Sequence, residues 1–350
     1  MPESRAASAV APLAEVVRGN AVESVHFGAV AVVDRAGNVV HAAGDPYALT
    51  FTRSALKPLQ ALPFVAGDGV ARFGFSEAQL ALICASHSGE PRHVAAVADM
   101  LARCGLSQEA LQCGTHAPGF YEARGELPPP PPYSPLAHNC SGKHAGMLAW
   151  CVQHDEPVGD YLAVDHPLQV AIRQAVSRFT GVAPNRLVAG IDGCSAPNYA
   201  VPLAALAAAF ARLATADDVD YGRAPRAIAD AMTAHPEMVS GEFRSDLALM
   251  QAGRGNWVTK IGAEGVQAIG IRSEGLGIAI KVADGQKRGL YPAIVAVLSQ
   301  LGLVDAAAQE ALSPWARRPV TNYRGLLTGE VRPAVALSAW RPQLSALADA

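Results

Sequence analysis

Apolar residues form short runs at the two ends of the chain and follow a helical spacing between them. Near the start, the Val-rich run 25–33 and the run 39–43 flank a turn that contains Asp, Gly and Asn, which predicts a β-hairpin. Near the end, glycine-containing turns separate three apolar runs, which predict strands over 257–261, 266–271 and 276–282. The chain is therefore expected to begin and end in strands.

The middle of the chain has the periodicity of amphipathic helices, with apolar residues at i, i+3 and i+4. Ser76 and Gln79 form a capping-box pattern ahead of an apolar run. Pro91 opens another helix, which Gly105 should end. Further helices are predicted after Ser54 and over the ranges 143–154, 167–179, 202–213 and 290–303.

These elements predict an α+β fold in which both chain ends build one antiparallel sheet, flanked by helices, with a helical subdomain inserted. We expect a single domain over residues 1–350. Its sheet part is expected at about 12–75 and 255–335, and its mainly helical part at about 76–254. Strand and helix do not alternate strictly, which argues against a Rossmann fold.

Composition narrows the class of protein. Hydrophobic residues make up 50% of the 350 residues and charged residues 17%, which favours a large core over disorder. The net charge is −3 and no basic patch stands out, so we expect no nucleic-acid partner. Residues 1–15 lack a signal-peptide pattern and no apolar stretch is long enough for a bilayer, so we expect a soluble cytoplasmic protein without a membrane partner. Its six scattered cysteines are expected to be free thiols.

The first candidate for chemistry is the pair Ser54 and Lys57. Residues three apart on a helix share a face, so the hydroxyl and the amine can meet. A lysine in a dry pocket can be neutral and take the serine proton, although the pattern alone also fits an N-cap serine with a solvated lysine. Ser86 in a polar turn and Lys260 on a late strand complete an order that is similar to serine β-lactamases, penicillin-binding proteins and serine-dependent glutaminases. Together these residues favour acyl transfer through a serine ester, with a strand-edge N–H for the oxyanion.

A second cluster consists of two turns rich in metal-ligand residue types, over 138–144 and 191–197. Cys140 and Cys194, with a histidine and a carboxylate, could hold zinc. The spacing matches no common zinc module. The alternative is two turns that line a cleft, each with its cysteine packed as a small hydrophobic residue.

Six segments in order resemble one family, the rhizobial-type, thermolabile asparaginase II proteins. The segments are 15–24, 53–60, 84–90, 138–144, 192–194 and 260–265, and the resemblance covers about residues 12–333. It implies a fold similar to glutaminases and serine β-lactamases, and hydrolysis of L-asparagine to L-aspartate and ammonia.

The resemblance also implies roles for single residues. Ser54 would be the nucleophile or its close partner, with Lys57 as its base, and Ser86 and Lys260 would form a second serine–lysine pair. Cys140, Lys143 and Cys194 match positions that bind zinc, which would aid substrate binding, with no organic cofactor. A homodimer is implied as well. The residues expected to hold the substrate are Arg53, His87, Asn139, Asp192 and Glu264.

Several alternatives stay open at this stage. Ser88 stands where many members have Asn, and Ser195 with Ala196 replaces Gly–Val, which bears on substrate preference. The protein could instead be a glutaminase or another serine acylase of the same fold, such as a β-lactam or peptide hydrolase. It could also be a non-catalytic zinc or amino-acid binding protein. The sequence leaves open whether Ser54 or Ser86 forms the covalent bond.

Overall fold

Strands from both ends of the chain build one antiparallel sheet, as the apolar pattern predicts. The structure is a computed structural model, and it describes residues 10–215 and 218–340. The strands are β1 (Ala11–Arg18), β2 (Ala21–Val33), β3 (Val39–Ala43), β4 (Leu49–Phe51), β5 (Val188–Ile191), β6 (Pro197–Pro202), β7 (Trp257–Gly262), β8 (Val266–Ile271), β9 (Leu276–Val282), β10 (Arg318–Thr321), β11 (Leu327–Pro333) and β12 (Ser338–Ala339).

Most helices lie between the two groups of strands. They are α1 (Lys57–Ala66), α2 (Gly69–Arg72), α3 (Glu77–Ile83), α4 (Pro91–Arg103), α5 (Gly119–Arg124), α6 (Ser141–Gln153), α7 (Pro167–Thr180), α8 (Leu203–Thr215), α9 (Ala224–Ala234), α10 (Pro236–Val239), α11 (Ser245–Gly253), α12 (Lys287–Gln300) and α13 (Ala306–Ala316). None of these described helices combines the length and apolarity that crossing a bilayer requires.

The large sheet has the strand order β10-β11-β1-β2-β9-β8-β7, and β3 pairs with both β2 and β12. The first and last parts of the chain meet where β1 pairs with β11, with Val16 opposite Val331. The predicted hairpin is β2–β3, and the three predicted late strands are β7, β8 and β9. The predicted α+β class, with an antiparallel sheet made by both chain ends and flanked by helices, is confirmed.

Both faces of this sheet are buried. Ala29, Ala31 and Val33 of β2 point into a core shared with α1, α3, α6, α7, α8 and α9, whereas Val30 and Val32 point into a second core with α12 and α13. This alternation is the period of two that a strand imposes on its side chains. The sheet is therefore the middle layer, and the candidate site lies where its β7 edge meets the helical part.

Helix α8 packs unusually close to the sheet because glycines face it. A Cβ on Gly277 of β9 would lie 1.9 Å from the Ala207 carbonyl oxygen, and one on Gly270 of β8 would lie 2.3 Å from the Phe210 carbonyl oxygen. Alanines make up much of the helix, so backbone meets backbone across this contact.

The helix predictions agree with the structure in most places. Ser76 and Gln79 form the predicted capping box, with hydrogen bonds of 3.2 Å and 2.8 Å. Gly181 ends α7 in the left-handed conformation, with a φ of 73°. The last predicted helix of that set, α12, begins three residues earlier than the predicted start at 290.

Two features differ from the predictions. A small second sheet is ordered β4-β6-β5, and two of its strands, β5 and β6, lie within the part predicted to be mainly helical. Strand β6 is almost fully buried and β5 is short, so neither has the period of two that marks a half-buried strand. The second difference concerns the Ser54 segment, which is a 3-10 turn over Arg53–Leu56 that leads into α1 at Lys57.

Candidate active site

The turn that carries Ser54 is held in an uncommon backbone conformation. Arg53 has a φ of 49°, in the left-handed region that non-glycine residues rarely adopt. The Asn198 side chain fastens this residue, since its Oδ1 accepts the Arg53 N–H at 3.0 Å and its Nδ2 donates to the Arg53 carbonyl at 3.0 Å. Strand β6, which carries Asn198, thus fixes the position of Ser54. The sequence gives no signal for Asn198, because a lone asparagine before a strand is unremarkable.

Strand β7 approaches the same turn from the other side. A Cβ on Gly262 would lie 2.8 Å from the Thr52 carbonyl oxygen and 3.4 Å from the Ala55 amide nitrogen. A glycine at the end of β7 therefore lets the strand edge touch the backbone that carries Ser54. Ser54 itself is half-buried, and its hydroxyl makes no hydrogen bond with any of the described residues.

The hydroxyl of Ser86 lies between two buried lysine amines. Lys57 Nζ is 2.9 Å from Ser86 Oγ and Lys260 Nζ is 3.0 Å from it. Ser86 is 4% exposed, Lys57 1% and Lys260 0%, so water hardly reaches this group. The structure thus brings Lys57, Ser86 and Lys260 together, and the end of β7, which carries Lys260, touches the backbone turn that contains Ser54. Lys57 bridges to Ser86 rather than to Ser54.

Hydrogen-bond partners distinguish the two lysines. Lys57 Nζ also faces the carbonyl oxygens of Ala85 at 2.5 Å and Asn139 at 3.3 Å, so three oxygen atoms surround this amine. Lys260 Nζ has the Ile261 carbonyl oxygen at 2.8 Å and the carboxylate of Asp246 at 3.6 Å.

Burial controls the protonation of Lys260. It lowers the pKa of this amine to about 7, while the Asp246 carboxylate raises the pKa and the positive charges of Lys57 and Arg244 lower it further. Near neutral pH, a large fraction of Lys260 is therefore neutral and has a lone pair to accept a proton. The Ser86 hydroxyl lies between this amine and that of Lys57, so it is placed to pass a proton from one to the other.

The predicted metal-binding residues also meet. Cys140 occupies the N-cap position of α6, Lys143 lies in the first turn of that helix, and Cys194 is in the β5–β6 turn. Lys143 Nζ is 2.9 Å from Cys194 Sγ, and all three residues are buried. A hydrogen bond with Cys194 is the main cause that holds the pKa of the Cys140 thiol well below its usual value. Burial disfavours charge on Lys143, but its interactions with Cys194 and Cys140 outweigh burial and raise the pKa of its amine.

In the described residues, no group of three or more His, Cys, Asp and Glu side chains is placed to hold a metal ion. The predicted set has only two such side chains, because its third member is a lysine. Two thiolates and one amine on converging elements suit zinc, which prefers nitrogen and sulfur donors in a four-coordinate site. The donor chemistry therefore fits the predicted metal, provided that Lys143 gives up its proton on binding.

The five predicted substrate-binding residues separate into two groups. Arg53, Asp192 and Glu264 line one cleft of about 470 Å³, in which Arg53 Nε donates to Asp192 Oδ1 at 2.9 Å. Burial would raise the pKa of Asp192, but the Arg53 hydrogen bond and neighbouring charges hold it below its usual value. These three residues are placed to meet a small charged ligand.

His87 and Asn139 lie outside that cleft. His87 is buried, with Nε2 at 2.9 Å from Ser141 Oγ and Nδ1 accepting the Gly89 N–H at 3.1 Å. Since the Ser141 hydroxyl donates to the Leu136 carbonyl, His87 must donate to Ser141, and both of its ring nitrogens are occupied. Asn139 is half-buried, and its backbone carbonyl oxygen accepts a hydrogen bond from Lys57. Substrate binding by His87 and by Asn139 stays a prediction, and the placement of His87 favours a structural role.

Comparison with known proteins assigns the family. The model of the L-asparaginase II family matches residues 14–333, which includes every residue of the site described above. This chain belongs to the L-asparaginase II family. That family is one of amidohydrolases, and membership confirms the resemblance that the six sequence segments indicate.

Other comparisons add little to the family assignment. No curated protein matches the chain significantly. Among solved structures, native Mglu is 16% identical, with a TM-score of 0.38, and the match covers 80% of this chain. The chain spans only 65% of the length of Mglu. A β-lactamase from Mycobacterium bovis is 13% identical, with a TM-score of 0.33 and coverage of 83% of this chain and 95% of that one. Such low scores carry no argument about the site.

Within this L-asparaginase II chain, the structure adds residues that the sequence patterns do not reveal. Asp246 is a fully buried carboxylate beside Lys260. Arg244 is half-buried, and its guanidinium has no hydrogen-bond or ion-pair partner in the described part of the chain. Arg244 directly precedes α11 and Asp246 lies in its first turn, and no spacing pattern marks either of them.

Proposed function

We propose that this protein is an L-asparaginase that hydrolyses L-asparagine to L-aspartate and ammonia through an ester on Ser54. The observation that carries the proposal is the Ser86 hydroxyl held between the amines of Lys57 and Lys260, directly behind the Ser54 turn. Membership of an amidohydrolase family supports amide hydrolysis as the reaction.

Access favours Ser54 over Ser86 as the nucleophile. Ser54 is half-buried with an unoccupied hydroxyl, and its neighbour Arg53 lines the charged cleft. Ser86 is almost fully buried and both of its close partners are lysines. A nucleophile has to reach the substrate carbon, whereas a group that relays a proton can remain enclosed.

The hydrogen-bond chain provides a route for the Ser54 proton. Lys57 passes one proton to Ser86 Oγ while Ser86 passes its own proton to the neutral amine of Lys260. Lys57, now neutral, takes the proton of Ser54 as that hydroxyl attacks the side-chain amide. Lys57 ends as an ammonium again and Lys260 becomes one, so that no proton is lost.

The same route operates in reverse to release the products. The proton stored on Lys260 returns along the chain to the leaving nitrogen, and ammonia departs from an aspartyl ester on Ser54. Water then attacks the ester, with the lysines again accepting and returning its proton. Arg53 and Asp192 are proposed to hold the charged amino-acid end of the substrate in the cleft.

We include zinc in this proposal, held by Cys140, Lys143 and Cys194. A bound zinc ion supplies positive charge that would help to hold the substrate beside the cleft. The chain's own part is to present two thiolates and a deprotonated amine from two separate elements. A homodimer, which the family resemblance implies, is part of the same proposal.

The test is ammonia release from L-asparagine, with L-glutamine in parallel and zinc supplied, for the wild type and the variants Ser54→Ala and Ser86→Ala. We expect the wild type to prefer asparagine, and Ser54→Ala to lower kcat/KM by about 10³-fold or more. In acid-quenched samples of the wild type, mass spectrometry should find an aspartyl group on the peptide that contains Ser54.

The matched control is Ser240→Ala. Ser240 is buried, as Ser86 is, and its hydroxyl has no hydrogen-bond partner in the described structure. Removal of this hydroxyl should therefore leave turnover close to that of the wild type. Normal turnover by Ser54→Ala, or an aspartyl group on the Ser86 peptide, would contradict the nucleophile assignment. Preference for glutamine would indicate a glutaminase, and tight asparagine binding without ammonia would indicate a binding protein.

A further inference from the structure

A carboxylate lies fully buried beneath the serine–lysine group. Asp246, in the first turn of α11, is 0% exposed and accepts hydrogen bonds on both oxygens. Its Oδ1 accepts from Thr259 Oγ1 at 2.9 Å and from Gln267 Nε2 at 3.0 Å. Its Oδ2 accepts from the Ile261 amide at 2.8 Å and lies 3.6 Å from Lys260 Nζ.

These contacts connect the carboxylate to β7 on both sides of Lys260. Thr259 precedes the lysine and Ile261 follows it, so both neighbours along the strand are bound to one carboxylate. A buried charge that is removed from water is costly unless it is paired and hydrogen-bonded. Among the residues that the structure describes, the cation paired with this carboxylate is the Lys260 amine.

We propose that Asp246 is the positioning residue of Lys260, which orients its amine toward Ser86 and supplies its counter-charge. This inference rests on the proposed function, because it explains how Lys260 is held in place to accept the Ser86 proton. Asp246 does not touch Ser86 or the cleft. It acts only through the lysine.

Three groups surround the Lys260 amine. It donates to the Ile261 carbonyl oxygen at 2.8 Å, and Ser86 Oγ lies 3.0 Å away. Asp246 Oδ2 is 3.6 Å from Nζ, which is an ion-pair distance rather than a hydrogen bond. Without the carboxylate the amine would lose its counter-charge on that side, and it could turn away from the serine.

Charges on several elements act on Lys260 together. Lys57 of α1 and Arg244, which precedes α11, disfavour its charged form, whereas Asp246 and Cys140 at the start of α6 favour it. Cys84, at the end of α3, is neutral because burial raises the pKa of its thiol to about 12. Burial lowers the pKa of Lys260, and Asp246 is the strongest of the groups that raise it. Removal of the Asp246 charge should therefore lower this pKa further, so that Lys260 stays neutral down to a lower pH.

The surroundings allow a nearly isosteric variant. In Asp246→Asn, the amide oxygen can stay with the Ile261 amide while the NH₂ group turns toward Gln267. Gln267 Oε1 is buried without a hydrogen-bond partner in the described structure, so a rotation of that side-chain amide by half a turn would give the new NH₂ group an acceptor. The variant therefore removes the charge with little change of shape.

The experiment is the pH dependence of kcat/KM for the wild type, Asp246→Asn and Thr259→Val. We expect the acid limb of Asp246→Asn to move to lower pH by about one unit or more, because the counter-charge is gone, and its plateau to fall. Thr259→Val removes a hydrogen bond of the same carboxylate and keeps the charge, so its acid limb should not move. If the limb of Asp246→Asn stays at the wild-type pH, the proposal is overturned.

A direct titration separates this inference from the proposed activity. In protein labelled with ¹³C at lysine Cε, the Lys260 signal is assigned by its loss in Lys260→Met, and its midpoint should be lower in Asp246→Asn than in the wild type. Equal midpoints would overturn the proposal, even if the protein released no ammonia from any amide. If Asp246→Asn does not fold, Asp246→Glu lengthens the side chain by one methylene and moves the carboxylate relative to the Lys260 amine, and an unchanged Lys260 midpoint in that variant would overturn the proposal.

Discussion

At the scale of single residues, burial decides which groups of this site can do chemistry. Lys57 and Lys260 have the same side chain and are equally buried, and each amine has Ser86 Oγ and two further oxygen atoms nearby. For Lys57 these are two carbonyl oxygens, whereas for Lys260 they are one carbonyl oxygen and the Asp246 carboxylate at 3.6 Å. Burial lowers the pKa of Lys260 to about 7, which suits this amine to accept a proton.

The pH dependence of activity follows from the Lys260 amine. Its pKa is about 7 and its neutral form accepts the proton, so kcat/KM should rise with pH through about 7 and fall about tenfold per unit below it. Lys260→Met should lower kcat/KM by about 10²–10⁴-fold and remove this limb. A pH series on asparagine measures both effects.

The control for that series is Lys287→Met, which removes an exposed lysine at the start of α12. Its acid limb should coincide with that of the wild type. A wild-type profile that is flat from pH 6 to pH 8 would show that Lys260 is not the proton acceptor.

At the scale of elements, backbone contact between helix and sheet decides how close the layers lie. The α8 helix meets β8 and β9 through Gly270 and Gly277, where a side chain would collide with helix carbonyl oxygens. A layer that packs backbone on backbone cannot move outward without opening the core around it. The close packing of α8 therefore depends on two glycines rather than on large side chains.

Gly277→Ala should test this contact. The added Cβ would lie 1.9 Å from a carbonyl oxygen, so we expect the free energy of unfolding to fall by about 1–3 kcal/mol or more. Denaturant unfolding followed by circular dichroism measures the change. In the control Gly159→Ala, the added Cβ would meet no atom within 4 Å, and stability should stay near that of the wild type. Equal stability of the two variants would mean that α8 can shift freely.

At the scale of the whole molecule, the proposed zinc ligands join two parts of the chain. Cys140 and Lys143 come from the start of α6, and Cys194 comes from the turn between two strands of the small sheet. A ligand that binds only the folded protein raises the free energy of unfolding by mass action. Zinc held here would thus stabilise the contact between the helical part and the small sheet.

Zinc should therefore raise the melting temperature of the chelator-treated protein, and Cys194→Ser should abolish the rise. Differential scanning calorimetry with and without zinc measures it. Cys104→Ser, which changes a buried cysteine at the end of α4, should keep the rise. An equal rise in the wild type and in Cys194→Ser would contradict the proposed ligand set.

The fold was largely predictable because its signals are local. Turn residues and apolar alternation located the β2–β3 hairpin and β7, β8 and β9, and the capping box located the start of α3. The small sheet was not predictable. Strand β6 is short and almost fully buried, so its apolar run looks the same as that of a buried helix segment.

The site was predictable only where residues form patterns along the chain. Ser54, Lys57, Ser86 and Lys260 have recognisable motif contexts, and so have Cys140, Lys143 and Cys194. Asp246, Asn198 and Arg244 have none, because Asp246 and Asn198 act through contacts that only the fold creates and Arg244 acts on Lys260 through its charge. The predicted contact between Ser54 and Lys57 assumed a continuous helix, whereas a 3-10 turn carries Ser54 and the Lys57 amine bridges to Ser86.

The sequence by itself determined the family, the α+β class and the residue types available for chemistry, since these depend on composition, periodicity and ordered motifs. The tertiary structure decided that the pKa of Lys260 is lowered, which serine is enclosed, and which carboxylate lies beside the lysine. The reason is that protonation and access depend on burial and on the partners within a few ångströms. Those partners come from segments up to 174 residues apart, as Ser86 and Lys260 are.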